Sequence, residues 1–154
     1  MARKITFAVR AWSPAPPLAV YRLLSDGATW PSWSPIGSFR LEREGEAGGE
    51  SEGAIRVFGR GGLSSRELLV ELRPGESIAY ESLSGLPVRA HRAQVELVPQ
   101  GGGTAIVWHE AFEPALPGSG WLLHRFLRWF MQRCASGLAS RAGAHGQAAA
   151  GPVT

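Results

Sequence analysis

The sequence predicts a single α+β domain: a curved, seven-stranded antiparallel sheet wrapped around one long C-terminal helix, with two short helices after the first strand. Three observations carry that reading. Residues 37–113 hold short runs rich in Val, Ile, Leu, Phe and Tyr, cut by the turn signals GEAGGE, GRGG, RPGE, SGLP and PQGGG, a spacing that suits an antiparallel meander better than a helical bundle. After PALPGSG the apolar period changes from 2 to 3.6 and holds to about residue 141. The length of 154 residues with 44% hydrophobic and 19% charged content is enough for one core, since chains of this size bury roughly 68–70% of their unfolded surface.

Residues 4–12, KITFAVRAW, alternate with Ile5, Phe7, Val9 and Ala11 on one face, the pattern of a half-buried strand. In SPAPPLAVYRLLSD, Ser13 is a candidate cap, the prolines suit a first turn, and Leu18, Val20, Tyr21 and Leu24 make one apolar face; a helix is expected over about 15–25. GATWPSWSPIG holds two tryptophans, two prolines and two glycines, so a short helical turn followed by a loop is expected there. The remaining strands are expected at SFRLERE, GAIRVFG, LSSRELLVEL, SIAYESLS, RAHRAQVELV and GTAIVWHEAFE, each long enough to cross a sheet. In the C-terminal helix, placed at about 119–141 with Ser119 as cap, Leu123, Phe126, Leu127, Phe130, Cys134 and Leu138 share a face, and Arg125, Arg128, Gln132 and Ser136 lie opposite. Residues 1–142 are read as the domain and 143–154 as a flexible tail with little to bury.

Composition also narrows the function. The net charge of +3 comes from 16 basic and 13 acidic residues with no like-charge run, which argues against a nucleic-acid partner. The single Cys134 excludes an internal disulfide and any Cys-rich metal site, and it reads as a small buried hydrophobe. No His-x-x-x-His spacing is present, so neither a metal site nor a cofactor is expected. Arg10 interrupts the N-terminal apolar stretch, and no segment reaches the roughly 20 apolar residues of a membrane span. The expectation is a cytoplasmic monomer or weak homodimer without stable membrane insertion.

The order of strand, short helix pair, antiparallel strands and long terminal helix is that of the helix-grip fold. Pro14 with Val20–Leu24, Trp30-Pro31-Ser32-Trp33-Ser34-Pro35, Gly53 with Arg56, Arg66-Glu67, Tyr80, Ser84-Gly85-Leu86-Pro87, and Gly103-Thr104 leading to Trp108 and Phe112 follow one another in that frame. In this order they resemble the START-like superfamily, in its SRPBCC or polyketide cyclase/dehydrase branch, over about residues 3–142. The resemblance implies a ligand cavity between sheet and helix, with relatives that include lipid carriers, hormone receptors, pollen allergens and aromatic cyclases. A fold shared by so many activities does not choose among them.

Within that frame the candidate ligand-binding residues are Trp30, Trp33, Arg66, Tyr80, His91, Trp108, Glu110, Phe112, Phe126 and Phe130. Trp30 and Trp33 either stack on a flat ligand as an aromatic lid or plug one end of the core. Glu110 shares parity with Thr104, Ile106, Trp108 and Phe112, which turns its carboxylate inward. Such a group costs several kcal/mol unless paired, neutralised or wetted, so Glu110 is a structural pair, a ligand-facing group, or a residue turned outward by a bulge. His91, on the apolar parity of the preceding strand with Ala93, Val95 and Leu97, is the candidate partner; His109 has the opposite parity and faces solvent. Arg66 and Glu67 must point to opposite faces: Leu68, Val70 and Leu72 favour Arg66 inward, and the family resemblance favours Glu67. Arg56 is expected to pair with Glu67 across the strands. Tyr80 shares parity with Ile78, Ser82 and Ser84 and either lines the cavity or fills the core. Phe126 and Phe130 are expected to form the cavity floor.

Three functions compete. The first is binding of a hydrophobic or aromatic small molecule, lipid- or polyketide-like, in an internal cavity. The second is an enzyme of the cyclase, aromatase or dehydratase kind, with His91 or Glu110 as general acid or base; no nucleophile with an adjacent base is visible. The third is a protein-interaction or stress-related module using Trp121, Trp129 and the arginines of the last helix.

Overall fold

Apolar alternation builds seven strands close to where the pattern places them. The computed structural model describes the backbone of residues 3–150 and the side chains of residues 3–144. Its strands are β1 (Ile5–Ser13), β2 (Ser38–Arg43), β3 (Ile55–Arg60), β4 (Leu63–Arg73), β5 (Ser77–Ser84), β6 (Val88–Gln100) and β7 (Gly103–Pro114). All pair antiparallel in the order β1-β7-β6-β5-β4-β3-β2. Helix α1 (Pro17–Ser25) and a 3₁₀ helix (Gly27–Ser32) follow β1, and helix α2 (Gly120–Ala150) closes the chain. The seven-stranded sheet, long terminal helix and short helices are the helix-grip fold.

Several local expectations are corrected. Ser13 does not cap α1, which starts behind Pro16 without a side-chain cap; its hydroxyl donates to the Ala139 carbonyl at 2.8 Å and accepts from the Ala15 N–H, tying β1 to α2. Ser119 caps α2 through its carbonyl, which accepts from Leu123 N–H at 3.0 Å, while its hydroxyl donates to Leu116. Helix α2 also runs past the expected end at 141, to Ala150. Ala142 is fully buried, a Cβ on Gly143 would lie 3.1 Å from Pro14, and the alanines at 144 and 148–150 favour helix intrinsically. Residues 151–154 of the expected tail lie outside the described residues.

The buried stripe of α2 is Leu127, Met131, Cys134, Ala135, Leu138, Ala139 and Ala142. It starts later than the periodicity suggests: the first turns of α2 lie against Ile5, Phe7 and Pro114 and leave Leu123 half-buried, while Phe126 faces the open cavity. Phe126 is therefore 50% exposed. Cys134 is buried as read, and burial pushes its thiol well above the ordinary range, which makes it inert packing. Among the described residues no His, Cys, Asp and Glu cluster could hold a metal, and no helix is long and apolar enough to cross a membrane.

Candidate functional site

Two bulges aim the polar side chains of the site. In β4 the pairing with β5 shifts between Leu69 and Glu71, so Val70 is an extra residue and the inner face changes parity there. Leu72 packs on the core in one frame and buried Leu69 in the other. Counting back from Leu72 thus assigns Arg66 to the wrong face. Arg66 points outward and holds Glu42 in a two-point pair at 2.9 and 2.6 Å, and Glu67 faces the cavity.

In β6, Ala90 and His91 together oppose Phe112 alone, and Ala90 takes φ 49°, an uncommon conformation for a residue with a Cβ. This bulge presents His91 between two partners. Its Nδ1 accepts from the Ser82 N–H at 3.0 Å, and its Nε2 lies 2.6 Å from Glu110 Oε2. A backbone N–H can only donate, so Nδ1 is unprotonated and the ring hydrogen sits on Nε2, pointing at Glu110. Burial disfavours a second proton on His91, and the carboxylates of Glu110, Glu67 and Glu81 favour it and outweigh burial. That proton would nonetheless have to enter at Nδ1, where the Ser82 N–H already points.

The continuous β1–β7 register keeps Thr104, Ile106, Trp108, Glu110 and Phe112 buried on one face, so no bulge turns Glu110 out. Glu110 is 4% exposed. Burial raises its pKa and the hydrogen bond from His91 lowers it, leaving the carboxyl above its usual range. Its Oε1 has no partner among the described residues. His109, on the other parity, is exposed beside Glu96.

Arg56 is the cation of the site and is fully buried. It donates to the Leu24 carbonyl at 3.2 Å and to Glu67 at 3.3 Å, and it lies 3.5 Å from Glu50. Its guanidinium sits 5.1 and 5.0 Å from the ring centres of Trp30 and Phe58. Glu50 in turn accepts from the Gly27 N–H, so the network clamps the 3₁₀ helix to β3. Burial raises the pKa of Glu67 and of Glu50, and Arg56 only partly offsets it. Glu50 escapes sequence reading because its glycine-rich loop has no periodicity.

Between α2 and the inner faces of β3 to β7 lies a cavity of about 230 Å³. Trp30, Phe58, Glu67, Tyr80, His91, Glu110, Phe126 and Phe130 all line it. Tyr80 is buried, and its hydroxyl accepts from Trp108 Nε1 at 3.0 Å. Its own O–H finds no acceptor among the described residues. Trp33, Trp108 and Phe112 do not line the cavity. They are buried behind it, with Trp33 and Trp108 packing on Trp30 at ring separations of 4.6 and 5.8 Å. Gly137 lets α2 reach Trp33, since a Cβ there would fall 1.7 Å from the Trp33 carbonyl. The mouth is rimmed by Arg60, Leu63, Gly85, Leu86 and Phe126. Phe126 therefore belongs to the rim and not to a floor. Gly85 is required there by φ 98° and by a Cβ that would lie 2.2 Å from the Ser64 carbonyl.

The site is thus an apolar chamber with a polar inner end, where a positioned carboxyl can accept a hydrogen bond or, when protonated on Oε1, donate one. No curated protein matches the chain closely enough to count as a relative. Among solved structures, a protein from Thermobifida fusca is 26% identical, covering 90% of this chain and 93% of its own with a TM-score of 0.72. A START superfamily protein from Mycobacterium smegmatis superposes with a TM-score of 0.74 at 15% identity, over 90% and 96% of the two chains. The di-domain ARO/CYC StfQ from the steffimycin biosynthetic pathway gives 0.76 at 16% identity, over 94% of this chain and 52% of that one. The model of the family described as polyketide cyclase / dehydrase and lipid transport matches residues 4–143, and with the helix-grip fold around this cavity the chain belongs to that family.

Proposed function

We propose that the chain binds one small, ring-containing apolar molecule in the cavity between α2 and the sheet. The observation that carries this is an aromatic-walled chamber whose inner end keeps unused hydrogen-bonding capacity on Glu110 and Tyr80. Size sharpens the reading. An apolar cavity of about 150 Å³ accepts benzene, so about 230 Å³ suits one ring with a short substituent rather than a long acyl chain or a sterol. Native mass spectrometry of protein from its own host, followed by thermal shift with single-ring and bicyclic aromatics, tests it. A ligand at a hundred times its dissociation constant stabilises the fold by about 2.7 kcal/mol. Stabilisation by none of them overturns the proposal.

A second reading gives the same cavity cyclase or dehydratase-type chemistry, with Glu110 as proton donor or acceptor through Oε1. It is favoured by the single hydrogen-bond orientation that Ser82 and His91 impose on that carboxyl. His91 is then a positioning residue, since both its ring nitrogens are engaged. Glu110→Gln separates the two: lost turnover with binding retained supports chemistry. A third reading, an interaction module, draws on Trp129 and Trp121, which are 52% and 70% exposed on α2. Co-purification of a partner lost in Trp129→Ala would support it. In each reading the chain acts as a monomer or weak homodimer.

A further inference from the structure

We infer that the molecule bound here carries an ammonium group, a protonated amine on an aromatic body, seated with its charge between Glu67 and Glu110. This deepens the ligand-binding reading and rests on it. The charge balance of the inner end is uneven. Glu67 and Glu110 line it, Glu50 lies behind them against Arg56, all three are partly or fully buried, and Arg56 is the one permanent cation among them. Arg56 is divided between Glu50 and Glu67, and Glu110 has only the His91 imidazole, which reaches one of its oxygens while the Ser82 N–H occupies the other ring nitrogen.

The unused valences point the same way. Two are donors without a partner among the described residues, the Tyr80 O–H and the Arg56 Nε–H, but Arg56 does not line the cavity, and the carboxylate oxygens that face it are acceptors. Glu110 lines the cavity at 4% exposure with Oε1 unpartnered, and the second oxygen of Glu67 has no donor among the described residues. These are acceptors, and the element missing is a multivalent donor with positive charge. A ligand carboxylate would instead add a further negative charge. A carbonyl could use the Tyr80 O–H but would leave Glu110 Oε1 and the second oxygen of Glu67 without a donor. Trp30, Phe58, Tyr80 and Phe126 surround the space, and aromatic faces attract ammonium groups. Burial raises the pKa of Glu50, Glu67 and Glu110, and Arg56 and His91 only partly offset it, as expected where carboxylates outnumber the cations beside them.

The test is calorimetric titration of the full chain at pH 8 with 2-phenylethylamine, 2-phenylethanol and phenylacetate, which share a ring and differ in the charge of the polar end. The amine is expected to bind at least roughly tenfold tighter than the alcohol, and phenylacetate weakest. Glu110→Gln is expected to reduce amine affinity about fivefold or more while leaving the alcohol within about twofold. Glu67→Gln should do the same; because it also removes a partner of Arg56, the wild-type ranking and Glu110→Gln decide the matter if it does not fold. Binding of the alcohol or phenylacetate as tight as the amine overturns the inference, as does an unchanged ranking in Glu110→Gln. If none of the three binds but neutral hydrocarbons such as naphthalene do, the inference falls and the cavity reading stands. If no apolar compound binds, both fall.

Discussion

The two ends of α2 solve opposite packing problems. Beyond residue 131 the helix presents Cys134, Ala135, Gly137, Ala139, Ala142 and Gly143 around a fully buried Leu138, and most of these are small enough for it to approach β1, Pro14 and Trp33 closely. Polar groups there are used up: the Ser13 hydroxyl donates to Ala139 and the Thr104 hydroxyl donates to Ala15 at 2.7 Å. At the other end Phe126, Leu127, Phe130 and Met131 hold the helix away from β3 to β6, and the gap is the cavity. There Glu110 and Tyr80 keep unused valences. Residue size along one helix therefore divides the molecule into a solid half that supplies stability and a hollow half that supplies a site.

The largest effect should come from the solid half. Leu138→Ala removes a fully buried side chain and should cost about 2–5 kcal/mol, measured by urea denaturation. Phe126→Ala, at the mouth and half exposed, should cost less than about 1 kcal/mol and act on ligand affinity instead. Equal losses at the two positions would break the division.

An intermediate effect concerns pH and belongs to the hollow half. Glu50, Glu67 and Glu110 have raised pKa values in the folded chain, so the folded state binds more protons than the unfolded one. Their contribution to stability is full below the unfolded value of about 4.3 and is lost as pH rises through the folded values. Stability should accordingly fall as pH climbs out of the acid range, and Glu110→Gln should flatten that fall. A slope identical in the variant would mean that Glu110 does not titrate differently on folding.

The smallest effect is expected at the C-terminus. Removing residues 145–154, beyond the contact of Gly143 with Pro14, should shift the melting temperature by less than roughly 2–4 °C, the change that about 1 kcal/mol gives in a domain of this size. A larger drop would extend the solid half through the end of the chain.

Much of this arrangement is legible residue by residue. Period-2 alternation in β7 identifies Thr104, Ile106, Trp108, Glu110 and Phe112 as one inward row, and all are buried. The misfit of a carboxylate in that row points to His91, and the two side chains meet at 2.6 Å. Where alternation breaks, the reading breaks with it. Val70 in β4 moves Arg66 outside, and the cavity leaves Phe126 half exposed.

By itself the sequence determined the elements, their order, the inward row of β7 and the apolar stripe that makes α2 the core helix. These are local properties, written in the spacing of side chains along each element. Only the tertiary structure decided that Arg56 is buried with Glu50 and Glu67, that Trp33 and Trp108 stand behind the cavity, and that Ser82 dictates the His91 tautomer. Each depends on a partner brought from another segment, or on one extra residue in a strand, and spacing along the chain carries no record of either.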